Sequence, residues 1–523
     1  MTPPPVRFRF PPLERRGVIA GWRSGQLVVV AIGLVLAVVA FRAAPSLAGV
    51  VAGLALIAAA LALAFWPVAG RTGEEWIPVV IRRVVAVVVG APSPGLTRAV
   101  RGHVLRPGPG GTVSLREAVV GSRRPAGALD GVRLGVLELG GTVTTAGHGP
   151  GTGTRVGFVA DAPGHTASVV LAVSSHSFAL LGRRGQESRV ATWSRVLASV
   201  AHAGSEIHRI QCIERCTPDD GRAVRRFWEE HAVVDPDSEV GRSYGQLVDE
   251  VGVRTQRHEV FLVLTVHTGR SARVVKAAGG GVAGLGVVLS REVEGVSRAL
   301  EQADLTIDGV LGPERLAEVI AVTTTADGRL PGSGEGAGGF GHDGTPATST
   351  GTVRQPWPMA MVEEWDRVHV DDAWHATYWI AEWPRIEVAP DFLGPLLLAP
   401  VRRTFTVVME PTDALRAARQ VAHARTADRA DAELRRRGGF LVTARHRREH
   451  QSADERDDEL AEGHVQFRFS GYVTVSAANP EALRDVRSLV EQTAGQSHLE
   501  LRLLYGEQDR AYGCSLPLGR GLS

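Results

Sequence analysis

The chain has 523 residues, too many for one ordinary hydrophobic core, so two or three domains are expected. Its 58 basic and 56 acidic residues leave a formal charge of +2, which excludes a global field that would recruit nucleic acid or an anionic membrane. The three cysteines, Cys212, Cys216 and Cys514, are too few to frame a chain of this size with disulfides, so a reducing compartment fits everything after the membrane segment. Lys276 is the only lysine, and the arginine bias reads as genome composition rather than a guanidinium function.

In chain order, residues 1–25 form a Pro- and Arg-rich tail, followed at 26–66 by a transmembrane hairpin. Between Gln26 and Trp66 the only charge is Arg42, and two apolar runs meet at "RAAP". The second run has the roughly 20 residues that cross the hydrocarbon; the first needs Gly21 to Gly25 to reach that length. Arg7, Arg9, Arg15, Arg16 and Arg23 precede the hairpin and Arg71, Arg82 and Arg83 follow it, so both flanks read as cytoplasmic, with multi-pass insertion in the cell membrane. "WIPVVIRRVVAVVVG" then reads either as a helix lying along the inner interface or as a buried helix of the soluble body.

Residues 67–154 comprise this juxtamembrane segment and a small β-rich module with runs such as "VRLGVLEL". From 155 to 325, "VGFVAD", "ASVVLAVSSH", "EIHRIQCIERC", "HEVFLVLTVH" and "LTIDGVL" read as strands among amphipathic helices, a first α+β unit. A Gly-rich linker at 326–356 lacks apolar periodicity. A second α+β unit occupies 357–523, with strands at "WHATYWIAEWP", "RTFTVVME" and "GHVQFRFSGYVTVSA", an Arg-rich helical insertion, a helix capped by Asn479, and "LELRLLY" and "AYGCSLPL" to finish the sheet. The expected fold class is therefore α+β, a two-helix transmembrane hairpin carrying two units of split βαβ kind.

No catalytic constellation stands out. Gly279, Gly281 and Gly284 match G-x-G-x-x-G but lack the strand immediately before them that a dinucleotide site needs. No G-x-x-x-x-G-K-[ST] occurs, so the chain is not a self-sufficient P-loop ATPase. "GRSYG" places Ser243 inside a helical pattern rather than on a strand-to-helix elbow. His446, Glu449 and His450 have metal-ligand spacing on a helix and give a zinc-dependent hydrolase as the enzyme alternative, yet their surroundings are almost wholly polar. The Arg-rich stretch from Arg416 to Arg448 either meets phosphates or pairs with the acidic "DERDDELAE" beyond it. No cofactor is implied and the expectation is a non-enzyme. The crowded aromatics Trp374, Tyr378, Trp379 and Trp383 read as a buried strand, with a partner-binding surface as the functional alternative.

"WHATYWIAEWPRIEV…FLGPLLL", "RTFTVVMEP", "GYVTVSAANPEALRD" and "LYGEQDRAYGCSLPLGRGL", with "GWRSGQ" ahead of the hairpin, together resemble an actinobacterial family of conjugation-associated membrane proteins. The resemblance implies a PrgI-type membrane hairpin fused to a domain similar to the non-catalytic amino-terminal domain of type IV secretion traffic ATPases. It implies a scaffold facing the cytoplasm that docks a separate motor ATPase and other membrane components, as a homo-oligomer or alone, with direct DNA contact open. The long Gly-rich insertion departs from that pattern, and no functional residues are carried over. A type VII secretion membrane component, which also joins two spans to a soluble domain, is the alternative.

Overall fold

The computed structural model describes Phe10 and residues 24–88, 127–140, 154–328, 356–412 and 465–522, apart from 68, 175–177, 203, 219–221, 236 and 253–255. The Arg-rich stretch, His446, Glu449 and His450, most of the Gly-rich linker and most of the 67–154 module lie outside the described residues. The chain divides into two compact units, residues 10–93 with 413–464, and residues 1–9, 94–412 and 465–523.

In the smaller unit α1 (Ser24–Ala43) and α2 (Leu47–Phe65) are both long and apolar enough to cross a membrane. Ser24 and Gly25 extend α1 ahead of the first apolar run. Between the helices Ser46 is the N-cap of α2, and Pro45 disfavours helix at the residue before it. The pair packs through small residues: a Cβ on Gly33 would strike Ala60, and Gly53 lies against Ala37, which lets the backbones approach closely. Gln26 Nε2 donates to Ala64 O at 3.1 Å, so the start of α1 and the end of α2 lie together. A third helix, α3 (Gly73–Val88), follows; a Cβ on Gly73 would strike Leu63, so α3 begins against the last turn of α2.

The larger unit is built twice. Its first half supplies β1 (Val132–Leu139), β2 (Thr154–Asp161), β3 (Thr166–Ser174), α4 (Arg183–Val200), β4 (Ile207–Pro218), the helices α5 (Arg222–His231) and α6 (Glu239–Gly252), β5 (Gln256–His267), α7 (Ala272–Ala277), α8 (Gly281–Gln302), β6 (Thr306–Val310) and α9 (Pro313–Ala321). The second half supplies β7 (Met361–Glu363), β8 (Val368–Val370), β9 (Ala373–Glu382), α10 (Gly394–Leu397), β10 (Arg403–Pro411), β11 (Phe467–Ala477), α11 (Pro480–Gln496), β12 (Glu500–Leu503) and α12 (Gln508–Gly513).

Among the described residues the twelve strands form one sheet in the order β1-β2-β3-β5-β4-β10-β11-β9-β8-β7, with β6 beside β3 and β12 beside β9. Every pairing is antiparallel. Outward from the β4–β10 joint the two halves have the same strand order. The detail repeats as well. One edge of β3 is shared end to end by β2 and β6, and the matching edge of β9 by β8 and β12. The joint runs from Cys216 opposite Arg403 to Ile210 opposite Met409, so Ile213 opposite Thr406 marks a local two-fold axis.

Side chains alternate across each strand and so feed two layers. On one face α4 and α8 cover a core with Leu171, Leu264 and Leu289, while α10 and α11 cover another with Tyr378, Val473 and Val490. The opposite face holds a single core that both halves build, Val170, Ile213 and Phe261 meeting Trp357, Tyr512 and Leu516. Each half also sends the segment after its last helix across to the other half. Arg402 donates to the carbonyls of Val322, Thr325 and Ala326, and Arg209 donates to those of Gly519 and Leu522. Arg209 and Arg402 each stand four residues before the central pair, so they are two-fold equivalents.

The segment "AYGCSLPL", expected to finish the sheet, instead completes α12 and then becomes this crossing tail. Its carbonyls at Cys514 and Leu516 accept from buried Gln211 Nε2, both at 2.9 Å, and Gly519 N donates to Gln211 Oε1 at 2.8 Å. Polar groups that a strand ladder would have satisfied are met by one side chain. "PDFLGPLLL" contains the short α10, and "GHVQFRFSGYVTVSA" yields one strand, β11.

Candidate partner-binding surface

The four aromatic residues on β9 and just beyond it divide between the two sheet faces. Tyr378 belongs to the core under α11, at 2% exposure, and Trp374 and Trp383 are half-buried against the same core. Tyr378 donates its hydroxyl to Glu491 Oε1 at 2.6 Å and accepts from Arg487 Nε at 3.0 Å, while Arg487 also holds Asp366 at 2.7 Å. Burial and Glu491 push the Tyr378 phenol well above its ordinary value, Arg487 opposing, so it is a neutral anchor tying β9 to α11.

Trp379 faces the other way and is half-exposed. Its indole donates to Ser470 Oγ at 2.9 Å, and the Arg502 guanidinium lies 5.4 Å from the ring centre. Trp374 stacks on His369, centroids 4.3 Å apart, with Arg367 5.5 Å from the Trp374 ring. Trp383 meets the partly exposed Phe469 edge-on at 5.5 Å. Cations over aromatic rings, with indole edges at the rim, resemble the anchors that dominate protein interfaces. Arg367, His369, Phe469 and Arg502 carried no signal in the sequence, because only strand register brings β8, β11 and β12 beside β9.

On the aromatic strand itself, His375 is buried against Tyr512, ring centres 4.7 Å apart, with Nδ1 2.8 Å from Ser476 Oγ. Burial and then Arg402 hold the imidazole well below its ordinary value, so it stays neutral. Charge pairs close both ends of the β4–β10 joint: Arg403 with Glu214 at one, Arg209 with Glu410 at the other, each at 3.3 Å. Burial pushes Arg402 down to about 10, and its carbonyl partners satisfy a guanidinium that remains charged at neutral pH.

The other sequence-derived candidates are scattered. Ser243 sits on α6, exposed, away from any strand-to-helix turn. Gly279 lies between α7 and α8, Gly281 opens α8, and Gly284 in its first turn packs against Val275. Burial pushes the thiols of Cys212 and Cys514 up to about 12, which removes them as nucleophiles at neutral pH. Among the described residues no group of three or more His, Cys, Asp or Glu side chains is placed to hold a metal ion.

A family model for the type VII ESX secretion system translocon EccE matches residues 254–380. The chain is thus similar to a membrane component of a secretion system over the stretch from β5 to most of β9. The match lies in the body and runs across the boundary between the two halves, including the matching stretch of the aromatic strand. It supports the type VII alternative within the secretion class rather than the conjugation-associated one. No curated protein matches the chain.

Proposed function

We propose that the chain is a non-catalytic, membrane-anchored component of a type VII-like secretion translocon, whose body faces the cytoplasm and docks a motor ATPase or another subunit of the complex. The match of residues 254–380 to the translocon family carries this reading. The two apolar helices support anchoring. Arginine on both flanks of the hairpin, and the Gln26 contact joining its two outer ends, support cytoplasmic placement of both termini. The proposed docking contacts are Trp383 with Phe469 on the face of the Tyr378 anchor and of Trp374, and Trp379 with Arg502 on the opposite face.

The test is affinity isolation of the full-length chain from its native membranes in mild detergent. A membrane complex containing a P-loop ATPase is the expected product. Trp379→Ala with Phe469→Ala should lower its recovery several-fold without changing the amount of chain in the membrane. Recovery of the chain alone would sink the reading. Recovery of a relaxase and a conjugative ATPase would restore the type IV one.

A further inference from the structure

We infer that α3 is a third membrane contact, a helix lying flat in the bilayer interface with one apolar stripe in the lipid. This rests on the hairpin being a membrane anchor. Ile77, Val80, Ile81 and Val84 follow the i, i+3, i+4, i+7 spacing that aligns side chains on one face. They are 39%, 46%, 56% and 52% exposed, whereas Val79, on the other side, is 4% exposed. A helix that keeps Val79 inward and turns four large aliphatic side chains outward has a second surface still to cover.

Bilayer is the occupant that the chain's path favours. α2 ends at Phe65 and α3 begins at Gly73, after a link of seven residues. An extended link of that length spans at most about 25 Å, and here it is folded back, because Gly73 sits against Leu63 in the last turn of α2. α3 therefore starts at the level where α2 leaves the hydrocarbon. Like its stripe, Leu61 and Leu63, in the last turns of α2, are exposed, at 39% and 49%. The charged side chains around it suit the headgroup layer: Glu74 and Glu75 in the first turn, where the helix dipole favours acid, and Arg82 and Arg83 beyond. Trp76, with the Arg71 guanidinium 5.5 Å from its ring, is placed as interfacial tryptophans are. The hold comes mainly from apolar burial, because these charges nearly balance.

The experiment uses the full-length chain in nanodiscs of phosphatidylcholine with phosphatidylglycerol, carrying one nitroxide at a time. Labels at Ile77→Cys, Val80→Cys, Ile81→Cys and Val84→Cys are compared with Arg83→Cys for collision with oxygen, which concentrates in lipid, and with a water-soluble nickel chelate. Unsubstituted chain taken through the same labelling gives the background from Cys212, Cys216 and Cys514. The four apolar positions should favour oxygen several-fold and Arg83→Cys should favour nickel, giving a helical period. Equal nickel access at all five positions would overturn the inference, as water; protection from both reagents at the four would overturn it, as protein packing or a second copy. Labels at Val35→Cys and Leu54→Cys separate the two readings. If those sites favour oxygen while α3 does not, only the interfacial helix fails; if they favour nickel, the membrane anchor fails too.

Discussion

Glu259 sits among three guanidiniums, with Arg215 at 2.6 Å, Arg315 at 3.0 Å and Arg257 at 3.5 Å. Burial alone would push its carboxyl up, but Arg215, Arg257 and Arg315 outweigh burial and hold it at about 2. A depressed acid stabilises the fold above its unfolded pKa near 4.5 and loses that contribution as pH falls towards 2. The effect is about 3 kcal/mol. Glu259→Gln should therefore lower stability at pH 7 and flatten the acid limb of a denaturant series between about pH 4.5 and 2. An unchanged slope would mean that the arginine cluster is not its source. His208 works in a separate window. Burial, with Arg209, Arg270 and His267, outweighs Glu410 and lowers the imidazole to about 4. The unfolded chain takes up this proton below about 6.5 and the folded chain does not, so stability is lost between those values. His208→Asn should flatten that window and leave the lower one intact.

Among the elements, the crossing tail depends on a few polar clamps. Arg520 bridges Asp161 through two nitrogens, at 2.6 and 2.9 Å, and reaches Ala128 O at 2.7 Å. Arg520→Ala leaves a buried carboxylate without its cation and should cost about 3 kcal/mol, read as a lower midpoint in urea. A midpoint within error of the parent would show that Gln211, Arg209 and the buried Leu516 and Leu518 hold the tail without the Arg520 clamp. Gly519 has φ +66° and lies where a Cβ would strike Thr265, so Gly519→Ala should loosen the same tail and expose Arg510 and Arg520 to trypsin. Elements whose burial is continuous were legible in the sequence: "HEVFLVLTVH" and "WHATYWIAEWP" announce β5 and β9 through apolar runs alone. α5 was missed, its short run overshadowed by charged residues. The tail was misread because "CSLPLG" has strand-like composition while its partners are the side chains of Gln211 and Arg209. Composition carries no sign of that exchange.

For the larger unit taken whole, the two halves hold together by three independent means: the β4–β10 ladder, the shared core and the exchanged segments. A protease site placed within residues 330–355 of the full-length chain, then cut, should leave both pieces co-eluting without denaturant. Separation on cutting would show that the connection itself maintains the pairing. The α+β class and the order of most strands could be read from hydrophobic periodicity. The two-fold repeat could not, because strand register carries it: "IHRIQCIERCTP" and "RTFTVVMEP" share no motif, yet β4 and β10 occupy equivalent places. The aromatic quartet was legible as a cluster. The placing of Trp374 and Tyr378 opposite Trp379 follows from strand alternation and was legible too. The partners each face finds come from pairing with β11, about a hundred residues away, which local sequence does not specify.

Gln211, Thr265 and Asp161 precede by hundreds of residues the tail residues that complete their surroundings. During synthesis the hairpin can already have reached the bilayer while the first half waits, its inner layer uncovered, for the crossing tail. The body closes only once that tail has been made, and chains truncated before it would be left with greasy, unfinished sheets.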